Sequence, residues 1–459
     1  MKLFSTYSVK LKNTEYKTVL ADTVRMYRGT VDFYIQVILE EWNLFSDITD
    51  QNSAVSKSEE LTVKTKNRSN VKYDFGKAFY KFPCYLRRAA IAEAYGKVHA
   101  YHTALTKWEA SDPKTRKGKP SLPKAGYVFP AMYRDNCFIR TGTYTAALKV
   151  WIRNTWDWIE VKFKKSDADY IEHHCKPYNS DTGVLRYRKE CVPTLQKRGK
   201  EWFLDFVFEE KVQLCEIPIA EQTVLAVDLG INNSCTCSVM RSDGTIIGRK
   251  FLSLSKEYDC LQHKIDHIKR AQHHGSRSIP KLWAAAKGVN DRIAVLTAQF
   301  IVDTAILYSA TTIVFEHLDL QGKKRGSKKQ KLHLWRASYV QNIVVHKTHR
   351  MGIHVSHINA WGTSRLAFDG SGRVKRGKES ERTNNNYSLC EFTSGKLYNC
   401  DLNASYNIGA RYFIREILKS LPVTAEQYVL AKVPECTRRS TCTLSSLINL
   451  NAVLYAHAA

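Results

Sequence analysis

Hydrophobic and polar residues alternate near the start of the chain, over residues 3–11, and this spacing predicts a first strand. From 19 to 44 the apolar residues recur three or four positions apart, which predicts a long amphipathic helix. A second long helix is predicted over residues 84–108. Residues 49–70 are polar and rich in Ser, Thr and Lys, so they are predicted to form a loop.

A change of composition marks the middle of the chain. Residues 111–126 hold three prolines and five Lys or Arg, as expected for a basic linker. Short segments within 138–163 and 183–213 are rich in β-branched and aromatic residues, which predicts strands. Several short strands separated by turns favour a small β-barrel in this part of the protein.

The second half opens with three predicted strands, at 224–228, 234–240 and 246–254. The Asp-Gly pair at 243–244 predicts a tight hairpin turn between the second and the third of them. A helical pattern then covers residues 255–309 and is interrupted by Gly275 and Pro280. These elements predict three consecutive strands followed by a helical region.

Strands and helices alternate in the remainder of the chain. A strand at 312–315 ends in Glu316, and a helix and a further strand are predicted at 334–351 and 353–358. Residues 362–399 are rich in Gly, Asn and Ser and have little regular pattern. Asp401 opens the last strongly helical segment.

Composition limits the class of protein. At roughly 150 residues per domain, a chain of 459 residues corresponds to about three domains, and 44% hydrophobic residues exclude a disordered chain. No stretch of ~18 apolar residues is present, so neither a transmembrane span nor a membrane partner is expected. Residues 1–7 lack the apolar run of a signal peptide. The protein is therefore predicted to be cytoplasmic, with its 12 cysteines as reduced thiols.

The charge of the chain is large and unevenly distributed. The formal net charge is +26, which predicts a polyanionic partner, namely nucleic acid. Residues 51–200 carry 30 Lys and Arg against 14 Asp and Glu, and residues 251–400 carry 24 against 11. Between these basic blocks, residues 201–250 carry 4 basic and 8 acidic side chains. Phosphate binding accounts for the basic blocks, and a metal-binding carboxylate site accounts for the acidic stretch.

Three carboxylates are candidate catalytic residues because Asp228 and Glu316 end apolar strands and Asp401 begins a helix. In an RNase H-like sheet these positions converge, and carboxylates there would hold two divalent ions about 3.5–4 Å apart. Mg²⁺ is favoured because it takes oxygen ligands and retains waters and substrate phosphates in its shell. Each residue alone is also compatible with a turn, a surface position or a helix N-cap. The hypothesis therefore depends on the ordered set of three.

The segments around these carboxylates resemble the three split RuvC motifs of the TnpB nucleases and of the miniature type V CRISPR effectors. The resemblance lies in AVDLGINN (226–233), TTIVFEHLDL (311–320) and NCDLNASYNIG (399–409). The segment NAWGTSR (359–365) also resembles the Thr-Ser stretch that precedes the zinc ribbon in those proteins. The resemblance implies RNA-guided cleavage of DNA, with Asp228, Glu316 and Asp401 as catalytic residues and ligands of two Mg²⁺ ions, for which Mn²⁺ can substitute.

The same resemblance implies an α+β multidomain protein built around an RNase H-like (RuvC) nuclease domain. A wedge-type β-barrel is expected at 1–12 and 124–215, with a helical recognition domain inserted at 13–123. The nuclease domain is expected at 216–361 and 401–459. A degenerate zinc-ribbon insert that binds target nucleic acid is expected at 362–400. The resemblance covers residues 185–410 well and the preceding part only by architecture and charge.

One departure from the family concerns zinc. The first Cys-x-x-Cys pair of the ribbon is absent, since residues 366–370 are Leu-Ala-Phe-Asp-Gly. The second is reduced to Cys390, with Thr393 in the place of its partner, while Cys400 adjoins Asp401. A tetrahedral zinc site needs four S or N ligands. Structural zinc is therefore not expected.

The resemblance implies a guide RNA and target DNA as partners, and the basic residues are the candidates to contact them. A guide RNA and target DNA, double- and single-stranded, would match the basic block at 51–200, and the protein would contact the shape and backbone of the heteroduplex. Candidate nucleic-acid-binding residues follow Glu316 or lie in the former ribbon: Lys323, Lys324, Arg325, Arg365, Arg373, Lys375 and Arg376. The sequence leaves open whether one or two copies assemble on one guide, and whether the context is CRISPR or transposon.

Two other functions remain open at this point. One is an RNase H-fold transposase or junction resolvase that acts without RNA, which the large basic N-terminal half argues against. The other is an RNA-guided DNA-binding protein that does not cleave, which the intact set of three carboxylates argues against.

Overall fold

The computed structural model describes residues 1–12, 15–113, 116, 118–175, 178–179, 185–186, 188–230, 234–317 and 336–458. The chain divides into two compact units, Lys2–Lys211 and Val212–Ala459, the second of which also includes Met1. Helices and strands occur in both units, which confirms a mixed α/β multidomain protein. None of the described helices is long and apolar enough to cross a membrane.

The helices of the first unit are α1 Lys17–Glu40, α2 Gln51–Thr62, α3 Phe75–Ala78, α4 Cys84–Glu109 and α5 Lys165–Cys175. The two long predicted helices are confirmed as α1 and α4, which pack against each other. Leu20 and Tyr34 of α1 and Leu86 of α4 are completely buried. The apolar stripe of each helix therefore forms the core of this unit.

The prediction of a loop over 49–70 is wrong in its first part, where the structure has α2. Asp50 caps this helix, since its side chain accepts a hydrogen bond from the Ser53 amide at 2.9 Å. The helix buries Ala54, Ser58 and Thr62, small or polar residues four positions apart. A polar helix with so few large apolar residues has no strong hydrophobic periodicity, so the sequence pattern resembled that of a loop.

The strands of the first unit are β1 Lys2–Lys10, β2 Phe138–Gly142, β3 Thr145–Ile152, β4 Thr155–Lys162, β5 Tyr178–Asn179, β6 Leu185–Arg186, β7 Arg188–Glu190, β8 Thr194–Arg198 and β9 Glu201–Lys211. Strand β9 pairs with β1, β7 and β8, whereas β2, β3 and β4 form a separate antiparallel sheet. These described strands do not close into one barrel. The barrel part of the predicted fold is therefore not shown.

The strands of the second unit are β10 Thr223–Asp228, β11 Cys235–Arg241, β12 Ile246–Leu252, β13 Thr312–His317, β14 His354–Asn359, β15 Lys375–Arg376, β16 Leu389–Glu391 and β17 Leu397–Asn399. Its helices are α6 Ser255–His273, α7 Pro280–Leu307, α8 Ala337–Thr348, α9 Cys400–Ser420, α10 Val423–Lys432 and α11 Leu444–Ala458. A five-stranded sheet with the order β12-β11-β10-β13-β14 forms its centre. Strands β10 and β12 run antiparallel to β11, which lies between them, while β13 runs parallel to β10 and to β14.

Helices cover both faces of this sheet. Helix α9 packs on one face in a cluster with Val224, Ala226 and Val314. Helices α7 and α8 pack on the other face in a cluster with Leu225 and Val227. Because both faces are covered, the central strands are continuously apolar, which is why β10 and β13 were visible in the sequence.

A second, three-stranded sheet of β15, β16 and β17 lies in the segment that had little regular pattern. It has its own small core of Ala367, Val374, Phe392, Cys390 and Cys400. Apolar side chains therefore form the core of this insert in the described residues.

Candidate active site

Strand alternation sets two of the three predicted carboxylates on one face of the five-stranded sheet. Along β10, Val224 and Ala226 pack in the cluster that contains α9. Successive side chains of a strand point to opposite faces, so Asp228 lies on the same face as these two residues. On β13, Val314 belongs to that cluster as well. Glu316, two residues later, therefore also lies on the α9 face.

The register of the sheet brings these two carboxylates side by side. Strands β10 and β13 are parallel, and Val227 pairs with Phe315. The next residues, Asp228 at the end of β10 and Glu316 one residue before the end of β13, consequently lie on neighbouring strands about 4.8 Å apart. Both side chains are partly buried.

The third carboxylate, Asp401, lies in the first turn of α9. Asn399 caps this helix, since its side chain accepts a hydrogen bond from the Leu402 amide at 2.9 Å. The helix lies close to the sheet at Gly409, where a Cβ would come within 3.3 Å of the Ala226 Cβ. The structure therefore brings Asp401 to the face that carries the other two carboxylates.

The charges of the other two carboxylates act on Asp228. Burial raises the pKa of Asp228 well above its usual range, and the charges of Glu316 and Asp401 raise it further. The Arg376 guanidinium opposes this rise. Like charges held close together resist ionising together. Negative charge therefore accumulates around Asp228, and the positive charge of Arg376 offsets only part of its effect on the Asp228 pKa.

This donor set fits a hard divalent cation, because carboxylate oxygens are preferred ligands of Mg²⁺ and a cation would relieve the repulsion at Asp228. Within the described ranges, however, no three His, Cys, Asp or Glu side chains are grouped closely enough to hold a metal ion. The chemistry of the site suits Mg²⁺, whereas its side chains are not arranged as a closed ligand cluster.

Glu316 has two further partners that the sequence did not identify. Its Oε1 accepts a hydrogen bond from the Thr363 hydroxyl. Burial raises the pKa of Glu316, while this hydrogen bond and the Arg411 guanidinium lower it. The local environment therefore partly offsets the effect of burial on this carboxyl group.

The predicted basic residues fall into three groups. Arg376 is half-buried and donates hydrogen bonds to the Ser364 hydroxyl at 3.1 Å and to the Tyr387 carbonyl at 3.3 Å. The side chains of Arg365, Arg373 and Lys375 are exposed on the insert, and Arg373 forms an ion pair with Glu379 at 3.2 Å. Lys323, Lys324 and Arg325 lie outside the described residues. Among the described members of this set, Arg376 is the one whose charge acts on Asp228.

The cysteines of the insert are in contact with each other. Cys390 and Cys400 are buried, and the hydrogen bond between their thiols, together with burial, raises the pKa of Cys390. A second buried pair, Cys436 and Cys442, is hydrogen-bonded in the same way. The absence of structural zinc stays a prediction.

Sequence reasoning missed a polar stripe on α9. Asn403, Asn407 and Arg411 are spaced four residues apart and are all buried. Asn403 donates to the Leu366 carbonyl at 2.9 Å, and Asn407 donates to the Thr363 carbonyl at 2.9 Å. The spacing was present in the sequence, because polar residues at i, i+4 and i+8 share one face of a helix. On a helix whose other residues are mostly apolar, such a stripe indicates buried hydrogen bonding.

Arg411 joins three segments of the second unit. Its side chain is 4% exposed. The guanidinium donates hydrogen bonds to four carbonyl oxygens, those of Asn359 (2.9 Å), Trp361 (2.8 Å), Ser440 (2.7 Å) and Cys442 (3.0 Å). These hydrogen bonds connect α9 to residues 359–361, which precede Thr363, and to residues 440–442, which precede α11.

Replacing Arg411 with Met is expected to destabilise the second unit strongly, because four carbonyl oxygens lose their donor. At about 1 kcal/mol for each hydrogen bond, the loss is on the order of 4 kcal/mol. Thermal unfolding followed by circular dichroism measures it, with the exposed Arg438→Met as a matched control that should melt with the wild type. Equal melting temperatures for Arg411→Met and the wild type would show that these bonds contribute little.

Comparisons with known proteins agree with the geometry at the level of fold. A model of the Aq_aa04 family matches residues 5–152. No curated protein sequence matches the chain. The structure is similar to a cryo-EM structure of the Cas12f1–sgRNA–target DNA complex, with a TM-score of 0.51 and 13% identity over 86% of this chain and 81% of that chain. It is also similar to the structure of the mini-RNA-guided endonuclease CRISPR-Cas_phi3, with a TM-score of 0.48 and 10% identity over 89% of this chain and 92% of that one.

Proposed function

We propose that this chain, which shares its fold with the Cas12f1 structure, is a cytoplasmic, RNA-guided and Mg²⁺-dependent DNA endonuclease of the TnpB and miniature type V effector kind. It cleaves guide-matched DNA strands through a single RuvC-type site formed by Asp228, Glu316 and Asp401. The observation that carries this proposal is the meeting of these three acidic residues on one face of the five-stranded sheet, with mutual repulsion at Asp228.

The chemistry of the site supports hydrolysis of a phosphodiester. Asp228, Glu316 and Asp401 would hold Mg²⁺, which when bound supplies an activated water and neutralises charge on the leaving oxygen. Arg376 lies where its positive charge acts on Asp228. In the proposed reaction this guanidinium binds a phosphate of the scissile strand and orients it against the carboxylates.

The rest of the chain is assigned to nucleic-acid binding. The basic block at 51–200 contacts the phosphates of a guide RNA and of the target DNA paired with it. Residues 1–12 and 124–215 act as a wedge domain and 13–123 as a recognition domain. The insert at 362–400 presents Arg365, Arg373 and Lys375 to the target strand.

Sequencing the RNA that co-purifies with the protein from its native host tests this proposal. We expect an RNA with a constant scaffold and a variable end, because base pairing rather than the protein would select the target. The protein reconstituted with that RNA should cut DNA matched to the variable end. DNA mismatched to that end serves as the control and should remain intact. The source of the variable sequence distinguishes a CRISPR context from a transposon context.

Each contrary outcome favours one of the rival functions. Cleavage of DNA by the RNA-free protein with the same selectivity would indicate a transposase or resolvase. Guide-dependent binding without cleavage in Mg²⁺ or Mn²⁺ would indicate a DNA-binding protein. Absence of any specific RNA would contradict guide use altogether.

A further inference from the structure

Thr363 is buried beside the carboxylates although it is no part of the acidic set. Its side chain is 2% exposed, and its hydroxyl donates a hydrogen bond to Oε1 of Glu316. The same hydroxyl lies 3.0 Å from the Ala360 carbonyl oxygen. A hydroxyl carries a single proton, so it donates to one of these acceptors at a time. Valine has nearly the same shape as threonine, so packing alone does not require the hydroxyl here.

Helix α9 fixes the backbone on which Thr363 sits. Asn407 donates a hydrogen bond to the Thr363 carbonyl at 2.9 Å. Arg411 donates to the carbonyls of Asn359 and Trp361 at 2.9 and 2.8 Å. The helix that carries Asp401 in its first turn therefore also fixes the position of the hydroxyl that is hydrogen-bonded to Glu316.

The hydrogen bond from Thr363 uses one carboxylate oxygen of Glu316, Oε1. Among the described residues, no hydrogen bond reaches Oε2 of Glu316. Anchoring one oxygen restricts the long glutamate side chain to few rotamers. The side chain is then already ordered before a ligand binds, so binding costs less conformational entropy. Partners that orient a ligating carboxylate in this way typically change metal affinity or activity about 10–100-fold when they are removed.

We propose that Thr363 is a positioning residue that anchors Oε1 of Glu316 so that Oε2 faces the site shared with Asp228 and Asp401. This role is a refinement of the proposed function and depends on it. Ser364, the next residue, accepts a hydrogen bond from Arg376 at 3.1 Å. The Thr-Ser pair thus binds one acidic and one basic member of the candidate site through adjacent side chains.

Replacing Thr363 with Val tests the proposal, because valine keeps the volume and removes the hydroxyl. With the protein bound to its guide RNA, we expect the Mn²⁺ concentration that half-fills the site to rise about 10–100-fold. Electron paramagnetic resonance measures free Mn²⁺, and the complex of Asp228→Ala with the same RNA gives the background of Mn²⁺ bound elsewhere. The Mg²⁺ concentration for half-maximal cleavage should rise by a similar factor, whereas binding of guide-matched DNA should not change.

Two further variants separate the hydroxyl from its surroundings. Thr363→Ser keeps a hydroxyl and should restore most of the Mn²⁺ affinity. Thr393→Val is the matched control, since this exposed threonine donates its hydroxyl to the Ser371 carbonyl at 2.7 Å rather than to a carboxylate. It should leave Mn²⁺ affinity unchanged. If Thr363→Val does not fold, Thr363→Ala removes the same hydroxyl without adding a methyl group, and the same loss of affinity is expected.

The outcomes distinguish this inference from the proposed function. If Thr363→Val or Thr363→Ala binds Mn²⁺ as tightly as the wild type in a protein that cleaves guide-matched DNA, the role of Thr363 is wrong and the proposed function stands. An equal loss in Thr363→Ser and Thr363→Val would also overturn it, because the hydroxyl would then not be the cause. A wild-type protein that neither binds a guide RNA nor cleaves would contradict the proposed function itself.

Discussion

Replacing any one of Asp228, Glu316 or Asp401 with alanine is expected to abolish cleavage of guide-matched DNA and to leave guide RNA and DNA binding nearly intact. The three residues share one face of the sheet, and in the proposed function each would supply oxygens to the same metal site. Residues that act as a unit lose nearly as much activity singly as together, and a loss of about a thousandfold or more is expected for each. Affinity should respond little, because it depends on Lys and Arg contacts with phosphate along much of the chain.

A cleavage assay paired with a gel-shift assay on guide-matched DNA measures both properties. Glu316→Gln adds a variant of nearly unchanged shape, and the exposed Glu381→Ala is a control acidic residue that should cleave like the wild type. If Glu316→Ala cut DNA at close to the wild-type rate, the assigned site would be wrong. If all three alanine variants also lost RNA binding, the residues would be structural and the active site would lie elsewhere.

The five-stranded sheet was predictable because its strands are buried on both faces. The strands expected at 224–228 and 312–315 are confirmed as Thr223–Asp228 and Thr312–His317. A continuous apolar run that stops at a carboxylate is a strong local pattern, and it gave the positions of Asp228 and Glu316 directly. Their adjacency required more than the sequence, because it depends on the parallel pairing of two strands separated by more than 80 residues.

The parts that were missed depend on tertiary contacts. Helix α2 has few large apolar residues, and the short strands β15 to β17 gain their stability from a small core around Val374 and Phe392. The closing of strands into a barrel is likewise a matter of long-range pairing. The sequence identified Thr363 only as part of the segment 359–365, which resembles the Thr-Ser stretch of the family. Its hydrogen bond to Glu316 joins residues 47 positions apart in the chain. Local pattern carries no information about such a contact.

Removing divalent cations is expected to stop cleavage completely while the protein stays bound to its guide RNA. The candidate site consists of carboxylates, and burial with like charges from Glu316 and Asp401 raises the pKa of Asp228. Without a cation, that cluster has neither an activated water nor a counter-charge for the leaving oxygen. Cleavage should vanish in EDTA and return when Mg²⁺ or Mn²⁺ is added in excess over the chelator.

The raised pKa of Asp228 also sets the direction of a pH effect. A carboxyl group with a raised pKa binds a proton at a pH where surface carboxyl groups are still ionised, and protons compete with metal ions for its oxygens. The Mg²⁺ concentration for half-maximal cleavage should therefore rise as the pH falls. Cleavage rates measured against Mg²⁺ at several pH values give this dependence, with gel-shift binding as the control for the intact complex. Full activity in EDTA, or a Mg²⁺ requirement that falls on acidification, would contradict a carboxylate metal site at Asp228.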